Sequence, residues 1–77
     1  MITTTIRSVE RKGTRWIIAV DDGREPFMTK SDWKASVCQR AMERGKTVRI
    51  WGGAGWCYRE LDNVREVADV VQADSRP

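Results

Sequence analysis

Aromatic and cationic side chains gather around one short stretch of the sequence. Residues 50–56 read IWGGAGW, so Trp51 and Trp56 flank a glycine-rich segment, with Arg49 and Tyr58 two positions further out on either side. Aromatic rings stack on flat ligand groups such as nucleobases, and guanidinium groups bind phosphates. Alternatively, the two tryptophans clasp a hairpin, because cross-strand aromatic pairs stabilise sheets. The sequence leaves both roles open.

The charge of the chain suits an anionic partner. The sequence has 14 Lys and Arg against 11 Asp and Glu, a net charge of +3, and the positive excess lies before residue 62. Arginine outnumbers lysine, and its planar fork matches phosphate geometry, although a GC-rich genome explains an arginine bias equally well.

The residue types argue against an enzyme. The chain has no histidine, so the commonest general base near neutral pH is missing. Asp21 and Asp22 open a predicted turn, where aspartate is favoured for backbone reasons. The GGAG run lacks the lysine and Ser/Thr of a phosphate-binding loop. We therefore expect a non-enzymatic protein without a cofactor or a metal site.

Two cysteines, Cys38 and Cys57, lie among mostly apolar neighbours. Free cysteine commonly packs as a small hydrophobe, and small cytoplasmic domains rarely use disulfides. We predict that both are buried core thiols, with the stem of Arg59 lying over Cys57.

Alternating residues predict strands at the start of the chain. The segment Thr3 to Glu10 is rich in β-branched residues, and a break in alternation between Ile6 and Val9 predicts a bulge. Thr14 to Asp21 is apolar on both faces, so this second strand should be central in its sheet.

A third strand is predicted at about Arg24 to Thr29, after the turn signal Asp22-Gly23. Pro26 lacks the N–H group that a ladder hydrogen bond needs. We therefore expect this strand at a sheet edge, or the Pro26 side at a gap.

One helix is predicted from Ser31 to Arg44, ending at Gly45. Ser31 would supply an N-cap oxygen and Asp32 a favourable first-turn charge. The apolar stripe, which we expect to face the core, comprises Trp33, Val37, Cys38, Ala41 and Met42.

The last hairpin is predicted from strands Lys46 to Trp51 and Trp56 to Leu61, joined by residues 52–55. If Trp51 faces Trp56, the register pairs Ile50 with Cys57, Arg49 with Tyr58 and Val48 with Arg59. One face then contains Val48, Ile50, Cys57 and Leu61, with Arg59 near its end. The other face contains Arg49, Trp51, Trp56 and Tyr58.

The segment after Leu61 fits either a helix or a longer last strand. We favour a strand that continues to about Val67 because the segment is rich in valine. Residues 1–67 would then form one domain, and we expect Asp69 to Pro77 to fray.

The order strand, strand, strand, helix, strand, strand resembles the OB-fold, a five-stranded Greek-key barrel. The fold class predicted is therefore mainly β with one helix, which lies between strands three and four. The stretches DDG, ERGKTV and YRELDNV also resemble small OB-like proteins of bacterial, plasmid or phage genomes.

The resemblance implies a ligand face on strands two and three, bordered by the loops between strands one and two and between strands four and five. On that basis we expect single-stranded DNA or RNA to bind there, with aromatic rings stacking on bases and cations contacting phosphates. The candidate residues are Arg7, Arg11, Lys12, Arg15, Arg49, Trp51, Trp56 and Tyr58. The alternative is a protein partner or a homodimer that uses the same aromatic patch.

The N-terminus lacks the features of a secretory signal, so we expect a cytoplasmic protein. The longest apolar run, Trp16 to Val20, is too short to cross a bilayer, and we expect no membrane partner.

Overall fold

A computed structural model of the chain describes residues 1–53, 55 and 57–67. Within this part the chain forms five strands and one helix. They are β1 (Ile2–Lys12), β2 (Arg15–Val20), β3 (Phe27–Thr29), α1 (Asp32–Glu43), β4 (Thr47–Gly53) and β5 (Arg59–Glu66).

The five strands close into a ring in the order β1-β2-β3-β5-β4, because β4 also pairs with β1. All neighbours are antiparallel except β3 and β5, which are parallel. This ring, with the helix between β3 and β4 in sequence, is compatible with the OB-like topology predicted. The central position of the second strand is confirmed, since β2 lies between β1 and β3.

The long first strand serves two neighbours because it bends. Its first half pairs with β4 and its second half with β2. The register shifts between Ile6 and Ser8, which confirms the bulge predicted between Ile6 and Val9. An extra residue turns the strand and lets one segment contribute to both sides of the ring.

The apolar core fills the inside of the ring. Ile18, Val48 and Ile50 are almost fully buried, and each such side chain contributes about 1.5–3 kcal/mol to stability. The other core residues are Ile6, Val20, Phe27, Cys38, Ala41, Leu61 and Val64. Outward residues alternate with these along the strands, so side chains on β2, β3 and β4 divide cleanly between core and surface.

The helix, Asp32–Glu43, is one residue shorter at each end than predicted, because Ser31 is the N-cap and Arg44 the C-cap; Gly45 follows at φ +64°. The Ser31 side chain makes no capping hydrogen bond, so the predicted N-cap oxygen is wrong. Its backbone N–H instead donates to Thr29 Oγ1 at 3.1 Å. Asp32 accepts a hydrogen bond from Trp16 Nε1 at 3.0 Å, which ties the helix start to β2.

The prediction that Trp33 belongs to the core is wrong. The buried helix residues are Ala35, Cys38 and Ala41, and Trp33 is 58% exposed. Two residues of an α-helix span about 200°, so Trp33 lies across the helix from Ala35. Val37 and Met42 pack at the margin of the core as partly buried residues.

The third strand is shorter than predicted and is not at an edge. It begins at Phe27, directly after Pro26, and pairs with β2 on one side and β5 on the other. Pro26 contributes its carbonyl, which accepts a hydrogen bond from the Arg59 N–H at 2.9 Å. The proline lies just before the strand, where its missing N–H is not needed.

The register predicted for the last hairpin is wrong. Trp51 pairs with Asn63, Ile50 with Val64, Arg49 with Arg65 and Val48 with Glu66. Gly52 and Gly53, assigned to the turn by sequence, continue β4, and β5 starts only at Arg59. The connection is therefore longer than four residues, and the predicted partners Cys57 and Tyr58 lie in it. The end of β5 at Glu66 confirms the strand favoured to about Val67.

Two predictions lie outside the described residues. One is the position of Trp56 opposite Trp51, and the other is the fraying of residues 69–77.

Gly52 lies at the register shift of β4 against β5, where its backbone approaches other groups closely. A Cβ atom at this position would overlap the Glu60 carbonyl oxygen and lie 2.7 Å from Phe27 Cε1. Neither backbone nor a core ring can give way easily. A Cβ at the neighbouring Gly53 would meet nothing within 4 Å.

We predict that Gly52→Ala lowers the free energy of unfolding by about 1–3 kcal/mol, the usual cost of overpacking. Gly53→Ala is the matched control and should change it by less than about 1 kcal/mol. Urea unfolding followed by tryptophan fluorescence measures both. Equal effects of the two substitutions would contradict the close approach at Gly52.

Candidate functional site

A cleft of about 270 Å³ lies on the outer surface of β3, between the start of β2 and the β4–β5 connection. It is lined by Arg15, Met28, Gly55, Cys57, Tyr58 and Glu60. Two of the predicted site residues, Arg15 and Tyr58, thus share one cleft although they are distant in sequence.

Strand alternation places Arg15 outside the ring. Ile18 and Val20 point inward, so Arg15 and Ile17 point outward on β2. Ile17 pairs with Met28 of β3, and the Arg15 Nη1 atom lies 3.6 Å from Met28 Sδ. Met28 therefore gives the cleft a half-buried apolar floor with a cation at its end, and Ile17 lies beside it on β2.

The connection before β5 brings Tyr58 to the other side of the cleft. A Cβ atom on Gly55 would overlap the Tyr58 carbonyl oxygen, so glycine allows the chain to pack closely there. Tyr58 is half-buried, with part of its side chain accessible to a ligand.

Three exposed cations lie at the β1–β2 end of this surface. Lys12 pairs in register with Arg15, and Lys30 directly follows Thr29, whose register partner is Trp16. Glu60 is the one carboxylate among the cleft-lining residues. Glu10, the exposed register partner of Ile17, adds a second carboxylate on this outer face. The three cations still give the surface a net positive charge, and Lys30 is a contributor that the sequence prediction missed. The sequence feature that could have identified Lys30 is its position directly after a predicted strand with alternating residues.

Arg11 lies nearby, but its guanidinium contacts residues of the β1–β2 hairpin to which it belongs. Its guanidinium carbon is 5.5 Å from the centre of the Trp16 ring, and Nε donates to the Gly13 carbonyl at 3.1 Å. Both contacts leave the guanidinium at the exposed surface, close to the tip of the β1–β2 turn.

Arg7, also a predicted site residue, is paired with Asp21. Its Nε donates to Asp21 Oδ1 at 3.0 Å, and Thr5 Oγ1 donates to the other carboxylate oxygen. The hydrogen bond from Thr5, helped by Arg7, holds the pKa of Asp21 below its usual value. Arg7 is thus a less available phosphate ligand than Arg15.

Arg49 and Trp51 lie away from the cleft, on the outer face of β4. Their register partners on β5 are Arg65 and Asn63. The sequence prediction had grouped them with Tyr58, and that grouping is wrong because the hairpin register differs. Trp56, the remaining candidate, is outside the described residues.

A second cleft, of about 480 Å³, lies at the end of the ring near the β2–β3 turn. Arg59 lines this cleft, and its Nη1 and Nη2 atoms donate to Asp22 at 2.7 and 3.0 Å. Both side chains are mostly buried, at 13% and 19% exposure. The Arg59 guanidinium also lies over the Phe27 ring, 4.1 Å from its centre.

These contacts indicate that Asp22 and Arg59 stabilise the fold by joining the β2–β3 turn to the start of β5. The hydrogen bonds from Arg59 lower the pKa of Asp22 below its usual value. The structural interpretation of Asp22 is therefore supported by the geometry. Arg59 does not lie over Cys57 as predicted; it reaches the β2–β3 turn, and Nε donates to the Glu25 carbonyl at 2.7 Å.

The two cysteines differ in their exposure to solvent. Cys38 is buried, as predicted, and burial raises the pKa of its thiol to about 12. Cys57 is exposed and lines both clefts, so the prediction of a core thiol is wrong. The physical reason is that Cys57 precedes β5 and is not one of its inward residues.

Among the described residues there is no group of three or more His, Cys, Asp or Glu placed to hold a metal ion. The same part of the chain contains no helix that is long and apolar enough to span a membrane.

A comparison of the chain with protein-family models, curated protein sequences and solved structures found no match.

We predict that Asp22→Asn lowers the free energy of unfolding at pH 7 by about 1.5–3 kcal/mol, because charged hydrogen bonds to Arg59 are lost. Asp21→Asn is the matched control, and its effect should be smaller because the Arg7–Asp21 pair is solvent-exposed. Chemical unfolding of the three proteins gives both values.

The contribution of the Asp22–Arg59 pair to stability should be lost at low pH. The folded pKa of Asp22 is lowered, so its stabilisation is complete above the unfolded value of about 3.9 and is lost as the pH falls through the folded value. The stability difference between wild type and Asp22→Asn should shrink below about pH 4. A constant difference down to pH 2 would contradict the ion pair.

Thiol titration tests the cysteine assignment. We predict that a disulfide reagent such as DTNB modifies Cys57 rapidly in the native protein and Cys38 only after unfolding, because a buried thiol is inaccessible and protonated. The Cys57→Ser protein should show no rapid phase. A rapid phase that persists in Cys57→Ser would show that Cys38 is reached in the native state.

Proposed function

We propose that this chain is an OB-like barrel that binds single-stranded nucleic acid without catalysing a reaction. The binding surface is the cleft on β3 together with the cations at the β1–β2 end. The observation that carries the proposal is that Arg15 and Tyr58, which are far apart in the sequence, line one cleft together with the apolar Met28.

The chemistry of the surface suits an unpaired nucleotide. A base can stack on the Tyr58 ring and contact the side chains of Ile17 and Met28 with its apolar face. Lys12, Arg15 and Lys30 would neutralise the adjacent phosphates. The cleft volume of about 270 Å³ suits a flat group of the size of a base, and bases are accessible to stacking on a protein only when they are unpaired.

We predict that the protein binds a labelled oligothymidine in fluorescence anisotropy and that Tyr58→Ala weakens binding by 1–3 kcal/mol, about fivefold to 150-fold. Arg15→Ala should also reduce the slope of log affinity against log salt by about 0.7, the value for one phosphate contact on a single strand. Binding to the same sequence as a duplex should be weaker.

Two control variants remove the same types of side chain from the helix, away from the cleft. Trp33→Ala removes an exposed aromatic ring, and Arg40→Ala removes an exposed cation. Neither should change the affinity by as much as Tyr58→Ala or Arg15→Ala. Absence of wild-type binding at tens of micromolar protein and low salt, or equal losses in the controls, would refute the proposal.

The exposed Trp33 favours a second candidate function, contact with a protein partner or a second copy of this chain. Trp33 is 58% exposed, lies on α1 near the partly buried Val37, and has the Lys34 ammonium 5.8 Å from its ring. Large exposed aromatic residues are enriched at protein interfaces. Concentration-dependent mass in light scattering that is abolished by Trp33→Ala would support this function, and a constant monomer mass would remove the homodimer.

A further inference from the structure

Two arginines lie directly opposite each other on the outer surface of the β4–β5 pair. Arg49 and Arg65 are register partners, and both are exposed. The next register pair, Ile50 with Val64, is buried, which confirms that Arg49 and Arg65 face outward. The site therefore consists of two guanidinium groups on adjacent strands.

This arrangement is unfavourable without an anion. Like charges directly opposite on neighbouring strands are destabilising. Within residues 1–53, 55 and 57–67, neither guanidinium has an ion pair or a hydrogen bond. Arg7 and Arg44, in contrast, each have a carboxylate partner, Asp21 and Glu66 respectively.

An aromatic ring lies next to this pair. Trp51 is two residues beyond Arg49 on the same strand face, so their Cα atoms are about 7 Å apart. Its register partner is Asn63, and Trp51 is half-buried. The surface thus combines two guanidinium groups that can bind phosphate, an aromatic ring that can stack on a base, and an amide group.

We infer that Arg49 and Arg65 together bind a phosphate of single-stranded nucleic acid and that Trp51 stacks on the adjacent base. This inference rests on the proposed function and extends it to a second contact surface. β5 connects the two surfaces, since Glu60 lines the cleft and Arg65 lies further along the same strand. A long strand would contact both surfaces, and a very short one only the cleft.

The first experiment compares oligothymidines of about 4 and about 16 nucleotides, the range of site sizes for one OB fold. Arg49→Ala and Arg65→Ala should each weaken binding of the long oligonucleotide and reduce its salt slope by about 0.7. Binding of the short oligonucleotide should be unchanged. Arg7→Ala is the matched control, because it removes one exposed cation that is already paired with Asp21.

A second readout does not depend on the cleft. Inorganic tripolyphosphate should shift the Arg49 and Arg65 Nε–H signals in NMR spectra and raise the melting temperature more than chloride at equal ionic strength. Both effects should be lost in the Arg49→Ala/Arg65→Ala protein. If the wild type binds tripolyphosphate here but no oligonucleotide, the proposed function fails and the nucleic-acid part of this inference fails with it, while the anion site stands.

Three results would overturn the inference. Equal losses in Arg7→Ala and Arg49→Ala would indicate a general charge effect. Unchanged binding of the long oligonucleotide by the double variant, with the cleft variants still defective, would confine binding to the cleft. Displacement of the oligonucleotide from this surface by an acidic peptide of equal charge, at equal or lower concentration, would assign the surface to an acidic protein.

Discussion

The position of Arg59 is the constraint on which the candidate site depends. Its backbone N–H bonds to Pro26, its Nε to the Glu25 carbonyl, and its two terminal nitrogens to Asp22. Its guanidinium also covers Phe27. One residue thus fixes the start of β5 against the start of β3, the only parallel pair among the described strands. Because Tyr58 precedes Arg59 directly, the same contacts hold Tyr58 at the edge of the β3 surface, opposite Arg15.

Carboxylate partners distinguish three of the arginines from four other cations, which lie on the strands. Arg7, Arg44 and Arg59 each have a carboxylate partner, and these pairs join β1 to the β2–β3 turn, the helix to β5, and that turn to β5. Lys12, Arg15, Arg49 and Arg65 have no ion pair within the described part of the chain. The paired cations contribute to the fold. The others leave positive charge on two outer surfaces, each beside an aromatic residue, which is the combination that single-stranded nucleic acid requires.

Local patterns predicted much of this fold, because strand alternation, the bulge near Ile6 and the helix ending at Gly45 depend on neighbouring residues. The hairpin register was not predictable in the same way. Glycines favour turns in general, but Gly52 continues β4 because a close approach to Phe27 and Glu60 excludes a side chain. The Asp22–Arg59 pair joins residues 37 positions apart, and no local pattern indicates it. Of the candidate residues, Arg15 and Tyr58 line the same cleft on β3 in the fold. Arg49 and Trp51 lie on the outer surface of the β4–β5 pair instead.

We propose that the start of β5 creates a binding surface for a single strand on β3. The most direct measurement is an NMR titration of the ¹⁵N-labelled protein with unlabelled oligothymidine. The largest amide shifts should lie in residues 12–15, 27–30 and 57–60, and the amides of α1 after its first turn should change little. Shifts concentrated on α1 around Trp33, or no shifts at all, would contradict it.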